Sequence, residues 1–126
     1  MKSPERRSVN GRVYLVLQDR DDADRLAHEL DAMGWLCAVA AEEQDHGVSR
    51  IRDAKPMAVI ADGSDLGISI AAAMRADSST RATPIIFIHA SKAVDRINAA
   101  VPGPIFASRS ALDYVLNELV ERSSES

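Results

Sequence analysis

Asp62 closes an unbroken apolar run, Met57-Ala58-Val59-Ile60-Ala61, and is followed at once by Gly63, Ser64 and Asp65. Small and branched apolar residues without alternation suit a strand covered on both faces, as in the middle of a parallel sheet. Gly63 supplies a tight turn, so the Asp62 carboxylate is left at the carboxyl end of its strand. In open α/β sheets that edge is where ligands and chemistry gather. The plain alternative is a carboxylate that only caps a strand. Other spacings carry less. Asp45-His46-Gly47 reads as a solvated turn, and Asp19, Asp21, Asp22 and Asp24 lack the glycine and terminal glutamate of a calcium loop. No glycine-rich phosphate loop follows the first strand. Ser64, Ser69 and Ser91 have no Gly-x-Ser-x-Gly elbow around them, so the chain does not read as an enzyme.

The elements that would position Asp62 follow from the apolar pattern. Residues 12–17, 35–41, 57–61, 85–88 and 105–107 read as five short apolar strands. The first runs into Gln18-Asp19-Arg20-Asp21-Asp22, where Asp21 or Asp22 is the expected helix cap. The helix after it would bury Ala23, Leu26, Ala27, Leu30 and Met33 on one face and end at Gly34. A weaker helix around Val48, Ile51 and Ala54 is closed by Pro56. Asp65 is the expected cap of a third helix carrying Leu66, Ile70, Ala73 and Met74. A short fourth helix carries Val94, Ile97 and Ala100, and Ser108 or Ser110 caps a fifth with Leu112, Val115, Leu116 and Leu119 inward. Strands alternating with helices predict a parallel sheet with helices on both faces, because right-handed crossovers place them there. Leu15, Leu17, Val59, Ile60, Ile86 and Ile88 should be almost wholly buried, with Leu26 and Leu30 packed on them.

The bulk numbers bound the rest. A length of 126 residues suits one domain, and 46% hydrophobic with 27% charged residues is a globular composition. Aromatic content of only 4% implies a core of aliphatic chains. A net charge of −4 without a basic stripe argues against a nucleic-acid surface. The single cysteine, Cys37, excludes an internal disulfide and reads as a buried core thiol between Leu36 and Ala38. No apolar segment approaches the length of a membrane span and no signal-peptide core is present, which reads as a cytoplasmic protein. Residues 1–10 read as a flexible lead-in, 11–121 as the domain, and 122–126 as a polar tail that starts a linker to a further domain.

Three segments in this order carry a resemblance: Val-Tyr-Leu-Val-Leu-Gln-Asp at the first strand, Met-Ala-Val-Ile-Ala-Asp at the third, and Pro-Ile-Ile-Phe-Ile-His-Ala at the fourth. With the stretch from Met74 to Pro84, they make the chain resemble the receiver domain of bacterial response regulators over roughly residues 11 to 121. The resemblance implies a flavodoxin-like (βα)5 fold, a doubly wound five-stranded parallel sheet of order 2-1-3-4-5. It also implies that Asp62 occupies the place of the phosphorylated aspartate. The departures are chemical. The family's pair of acidic residues after strand one, which hold magnesium, is Gln18-Asp19 here, and a one-residue shift would leave Leu17-Gln18. The hydroxyl residue ending strand four is His89, and the lysine ending strand five falls on Ala107, with Ser108 and Arg109 the nearest polar residues. The loop after Asp62 is short and lacks the usual Met-Pro turn.

Phosphorylating a carboxylate adds negative charge that needs cations close by. Asp19 and Asp62 form a weak magnesium seat, since the ion takes one or two carboxylates with waters and phosphate oxygens. The resemblance with these departures therefore implies a degenerate receiver, a pseudo-receiver acting in signalling as a protein-interaction or regulatory module. Its partners would be a signalling protein, an attached output domain or a second copy, with no nucleic acid or membrane. The family's docking face of helix four, strand five and helix five points to Arg96, Arg109, Tyr114 and Asn117, each of which is otherwise a solvated side chain. The alternative is a receiver that switches on Asp62 phosphorylation, served by a histidine kinase or phosphotransfer protein. More distant is a small-ligand-binding flavodoxin-like domain that uses the same edge.

Overall fold

A computed structural model describes residues 11–39 and 47–125. The expected lead-in over 1–10, the end of the second strand at Ala40 and Ala41, the Asp45-His46 pair and Ser126 lie outside the described residues. Five strands alternate with five helices: β1 Gly11–Val16, α1 Arg20–Ala32, β2 Trp35–Val39, α2 Gly47–Ala54, β3 Ala58–Asp62, α3 Asp65–Ala76, β4 Ile85–Ile88, α4 Val94–Ala100, β5 Ile105–Phe106 and α5 Leu112–Glu125. A 3-10 turn, Arg109–Ala111, precedes α5. The strands form one parallel sheet in the order β2-β1-β3-β4-β5. This is the doubly wound 2-1-3-4-5 arrangement that the resemblance to receiver domains implies.

The unbroken apolar runs are explained by two cores, one on each face. Alternate strand residues point to opposite faces. Tyr14, Val16, Val59, Ala61, Ile85 and Phe87 pack with Ile51 of α2, Ile68, Ala71 and Met74 of α3, and Ile97 of α4. Val13, Leu15, Ala58, Ile60, Ile86 and Ile88 pack with Leu26 and Leu30 of α1 and Leu112 and Leu116 of α5. All six strand residues expected in the core are buried, Val59 on the face opposite Leu26 and Leu30.

Several local expectations change. The cap of α1 is Asp19, not Asp21 or Asp22: its extended backbone lets the side chain accept the Asp21 and Asp22 N–H groups. Ser64 rather than Asp65 caps α3, accepting from the Gly67 N–H. Met33 is 52% exposed because it is the C-cap of α1, beyond the buried stripe, and Gly34 at φ 98° turns the chain away. Ala73 is exposed while Ile68 and Ala71 take the inner positions of α3. Cys37 is half-buried, because β2 is an edge strand with Leu36 partly in solvent. Burial, with a lesser push from the Asp31 charge, still raises its thiol to about 11, where it is inert at neutral pH. Helix α5 runs to Glu125, past the expected domain limit at 121.

Arg75, near the end of α3, ties the opposite edge of the sheet. Its guanidinium donates to the carbonyl oxygens of Arg81, Thr83, Pro102 and Gly103. The loops leading into β4 and β5 are held to one helix in this way.

Candidate functional site

Strand register sets the candidate site. Val16 pairs with Ala61, Asp62 with Ile88, and Phe87 with Phe106, so Leu17, Asp62, Ile88 and Ala107 sit at one level of the carboxyl edge. The helix after β1 leads outward to β2, and the helix after β3 leads to β4. Asp62 therefore lies beside the crevice where the strand order reverses, the usual ligand position of such sheets.

The Asp62 carboxylate is already engaged. Its Oδ2 accepts the Gln18 backbone N–H at 3.0 Å across the crevice. Its Oδ1 accepts the Ser64 N–H at 3.2 Å and a short bond from the Ser64 hydroxyl. The same hydroxyl oxygen accepts the Gly67 N–H at 3.1 Å. A carboxylate offers about four lone-pair sites, and three donors occupy Asp62. Gly67 permits this closeness. A Cβ at that position would lie 2.3 Å from the Asp62 carbonyl oxygen and 2.9 Å from Oδ1. The short loop thus folds the first turn of α3 onto the carboxylate. Neither Ser64 as the cap nor Gly67 was singled out in the sequence; a serine just ahead of a helix start was a readable capping signal, whereas Gly67 carried none.

Asp19 does not face an ion with a free carboxylate. Its Oδ1 accepts the Asp21 and Asp22 N–H groups at 3.0 and 3.2 Å. Among the described residues, no group of three or more histidine, cysteine or acidic side chains is placed to hold a metal. Asp19 and Asp62 are the two carboxylates that magnesium would use, with Asp19 Oδ1 committed to capping α1 and both Asp62 oxygens already accepting protein donors. The donor set makes a weak seat.

The positive side of the site lies elsewhere. His89, at φ 52°, turns its Nε2 to 3.7 Å from Asp22 Oδ2. The Ala107 side chain brings no charge, and its N–H donates to the Phe87 carbonyl at 3.1 Å. Arg109 instead crosses to α1, with Nη1 2.6 Å from Asp22 Oδ1 and Nε 3.4 Å from Glu29 Oε1. The Arg109 hydrogen bond holds the Asp22 carboxyl below its ordinary value of 3.8 despite partial desolvation. Asp77, bonded by the Ser79 hydroxyl and N–H and then by Arg52, is lowered to about 2. Both groups bind protons more weakly folded than unfolded. Their contribution to stability is present above the ordinary value and lost as pH falls through the lowered one. The melting temperature should therefore fall as pH is taken from about 4 towards 2. In Asp77→Asn that acid limb should be shallower, as thermal melts across the range would show.

Beside His89 and Arg109 lies an open cleft of about 480 Å³, floored by Phe87 and Phe106 and bordered by Val94, Ser91 and Ser108. The two rings lie 6.1 Å apart, and Phe106 is 40% exposed at the edge strand.

Solved structures share this architecture. A sensor protein from Polaromonas is 20% identical, with 88% of this chain and 96% of that chain covered at a TM-score of 0.72. The receiver domain of a sensor histidine kinase from Pseudomonas aeruginosa is 18% identical over 88% of this chain and 98% of its own, with a TM-score of 0.71. Its structure has a magnesium ion coordinated in the active-site cleft. The chemotaxis response regulator CheY4 of Vibrio cholerae is 19% identical over 86% of this chain and 97% of its own, with a TM-score of 0.68. The fold is that of a receiver domain. No protein-family model and no curated protein matches the chain.

Within this receiver fold the four residues expected at the docking face have different surroundings. Arg109 is turned to α1, away from the outer side of α5. Arg96 pairs with Asp65 at the start of α3, an exposed pair of little energetic weight. Asn117 Nδ2 donates back to the Asp113 carbonyl of its own helix at 2.9 Å. Tyr114 stands well out, 68% exposed, and Arg96 and Asn117 are exposed as well. Sequence reasoning also passed over Glu29 and treated Asp22 only as a cap or calcium ligand. A strand-end arginine and two helix carboxylates one above the other were the signal available.

Proposed function

We propose that the chain is a pseudo-receiver, a signalling domain that docks a partner constitutively and catalyses nothing. The observation that carries this reading is the Asp62 carboxylate held by three protein donors. No second carboxylate precedes Asp19, and no lysine stands at Ala107. A phosphoryl group on Asp62 would displace those donors and add negative charge without the cations that normally hold it. The partner is a signalling protein, a second copy, or an output domain joined through the polar end of the chain, met at the face of α4, β5 and α5. Tyr114 and Phe106, both exposed, are its apolar anchors. Such a module works in the cytoplasm; no described helix is long and apolar enough to cross a membrane. Regulation by docking also suits the absence of a hydrolase or nucleotide motif in the sequence.

The second reading, a receiver switched by a histidine kinase or phosphotransfer protein, draws on Asp62 still lying part-exposed at the carboxyl edge. Amide spectra separate the two. Magnesium with beryllofluoride should leave the spectrum of the wild-type chain nearly unchanged. Saturable shifts running from Asp62 to His89 and α4, and lost in Asp62→Asn, would establish the switch and end the pseudo-receiver reading.

A further inference from the structure

Arg109 ties the connection between β5 and α5 to α1. It opens the 3-10 turn between β5 and α5, and its guanidinium reaches two carboxylates on α1. Asp22 and Glu29 are seven residues apart, about two helical turns, so they lie on the same side of α1. The planar fork of arginine presents separate, pre-organised N–H donors to the two carboxylates, where a lysine would offer a single point charge on a flexible stem. Asp22 also faces His89 from the end of β4 and, at 3.7 Å, the exposed Arg25 of its own helix. The ion pair is partly sheltered, with the Arg109 side chain 25% and the Asp22 side chain 21% exposed. Just beyond the turn, Asp113 of α5 accepts the Trp35 indole N–H at 2.9 Å, binding the same region to β2.

We propose that Arg109, bridging Asp22 and Glu29 beside His89, is a built-in cationic latch. It holds the β5–α5 turn against α1, with His89 at the end of β4 lying beside the same Asp22 carboxylate, and sets the α4–β5–α5 face in one arrangement without phosphorylation. Because the turn carrying Arg109 also borders the Phe87–Phe106 cleft, the latch fixes one wall of the surface offered to a partner. The functional meaning of the latch rests on the pseudo-receiver reading, but its existence does not.

Hydrogen exchange on the full chain tests it, with no phosphoryl donor present. In Arg109→Ala, amides of residues 89–93 and 107–113 and of the first turn of α1 should exchange about tenfold faster, the scale of a lost charge-assisted bond. Core amides of β3 and β4 should remain the slowest to exchange, which also shows that the variant folds. Asp22→Asn should reproduce most of the effect, and the double variant should be little worse than either single one. Arg109→Lys should recover it only in part. Unchanged exchange in Arg109→Ala, or effects of the two single variants that simply add, would overturn the latch. Donor-dependent shifts in the wild type would instead overturn the pseudo-receiver reading while leaving this result standing.

Discussion

Ile86→Ala and Ile60→Ala each lower the unfolding free energy by ~2–5 kcal/mol. Both side chains are fully buried in the central strands β4 and β3, packed with Leu26 and Leu30 of α1 and Leu112 and Leu116 of α5. Truncation removes apolar surface from contact and leaves a cavity between a rigid sheet and two helices. The sheet cannot close that space, since its spacing is set by the backbone ladder. Urea denaturation of each variant measures the effect. A stability equal to wild type in either one would show that these runs are not central strands of the sheet.

Gly67→Ala destabilises the domain even though it improves helix propensity. In an open helix, alanine for glycine is favoured by about 1 kcal/mol. Here the new Cβ would meet the Asp62 carbonyl oxygen at 2.3 Å, and that oxygen belongs to backbone held in β3. The first turn of α3 must move off the strand end, which costs ~1–3 kcal/mol as an overpacked site. The clash outweighs the propensity gain. The same movement pulls Ser64 from Asp62, so the Gln18 and Ser64 amides should shift in the spectrum of the variant. A stability above wild type would mean that α3 is free to tilt and that the closeness of Gly67 to Asp62 is unimportant.

These two positions also mark how far the sequence could be read. Ile60 and Ile86 were legible as core because their neighbours form unbroken apolar runs. Gly67 was silent, since a glycine inside a helical pattern carries no sign of what lies above it. His89 was visible as a strand-end residue, but its left-handed backbone and its turn towards Asp22 were not. Arg109 was named for an outward docking face, and the structure turns it inward to α1.

The sheet order was implied by the resemblance to receiver domains; by itself the amino-acid sequence determined the alternation of strands and helices, the buried strand residues, and Asp62 at a strand end. It also determined the chemistry that is lacking, with glutamine at Gln18, histidine at His89 and alanine at Ala107. Those features are local: they depend on residue type and on periodicity along one segment. Only the tertiary structure decided which donors satisfy Asp62, that Asp19 caps α1, and that Arg109 bridges Asp22 and Glu29. Gln18 and Asp62 are 44 residues apart in the chain, and Asp22 and Arg109 are 87 apart. Such pairs meet because strand register and helix docking bring them together, and no pattern within either segment encodes the distance between them.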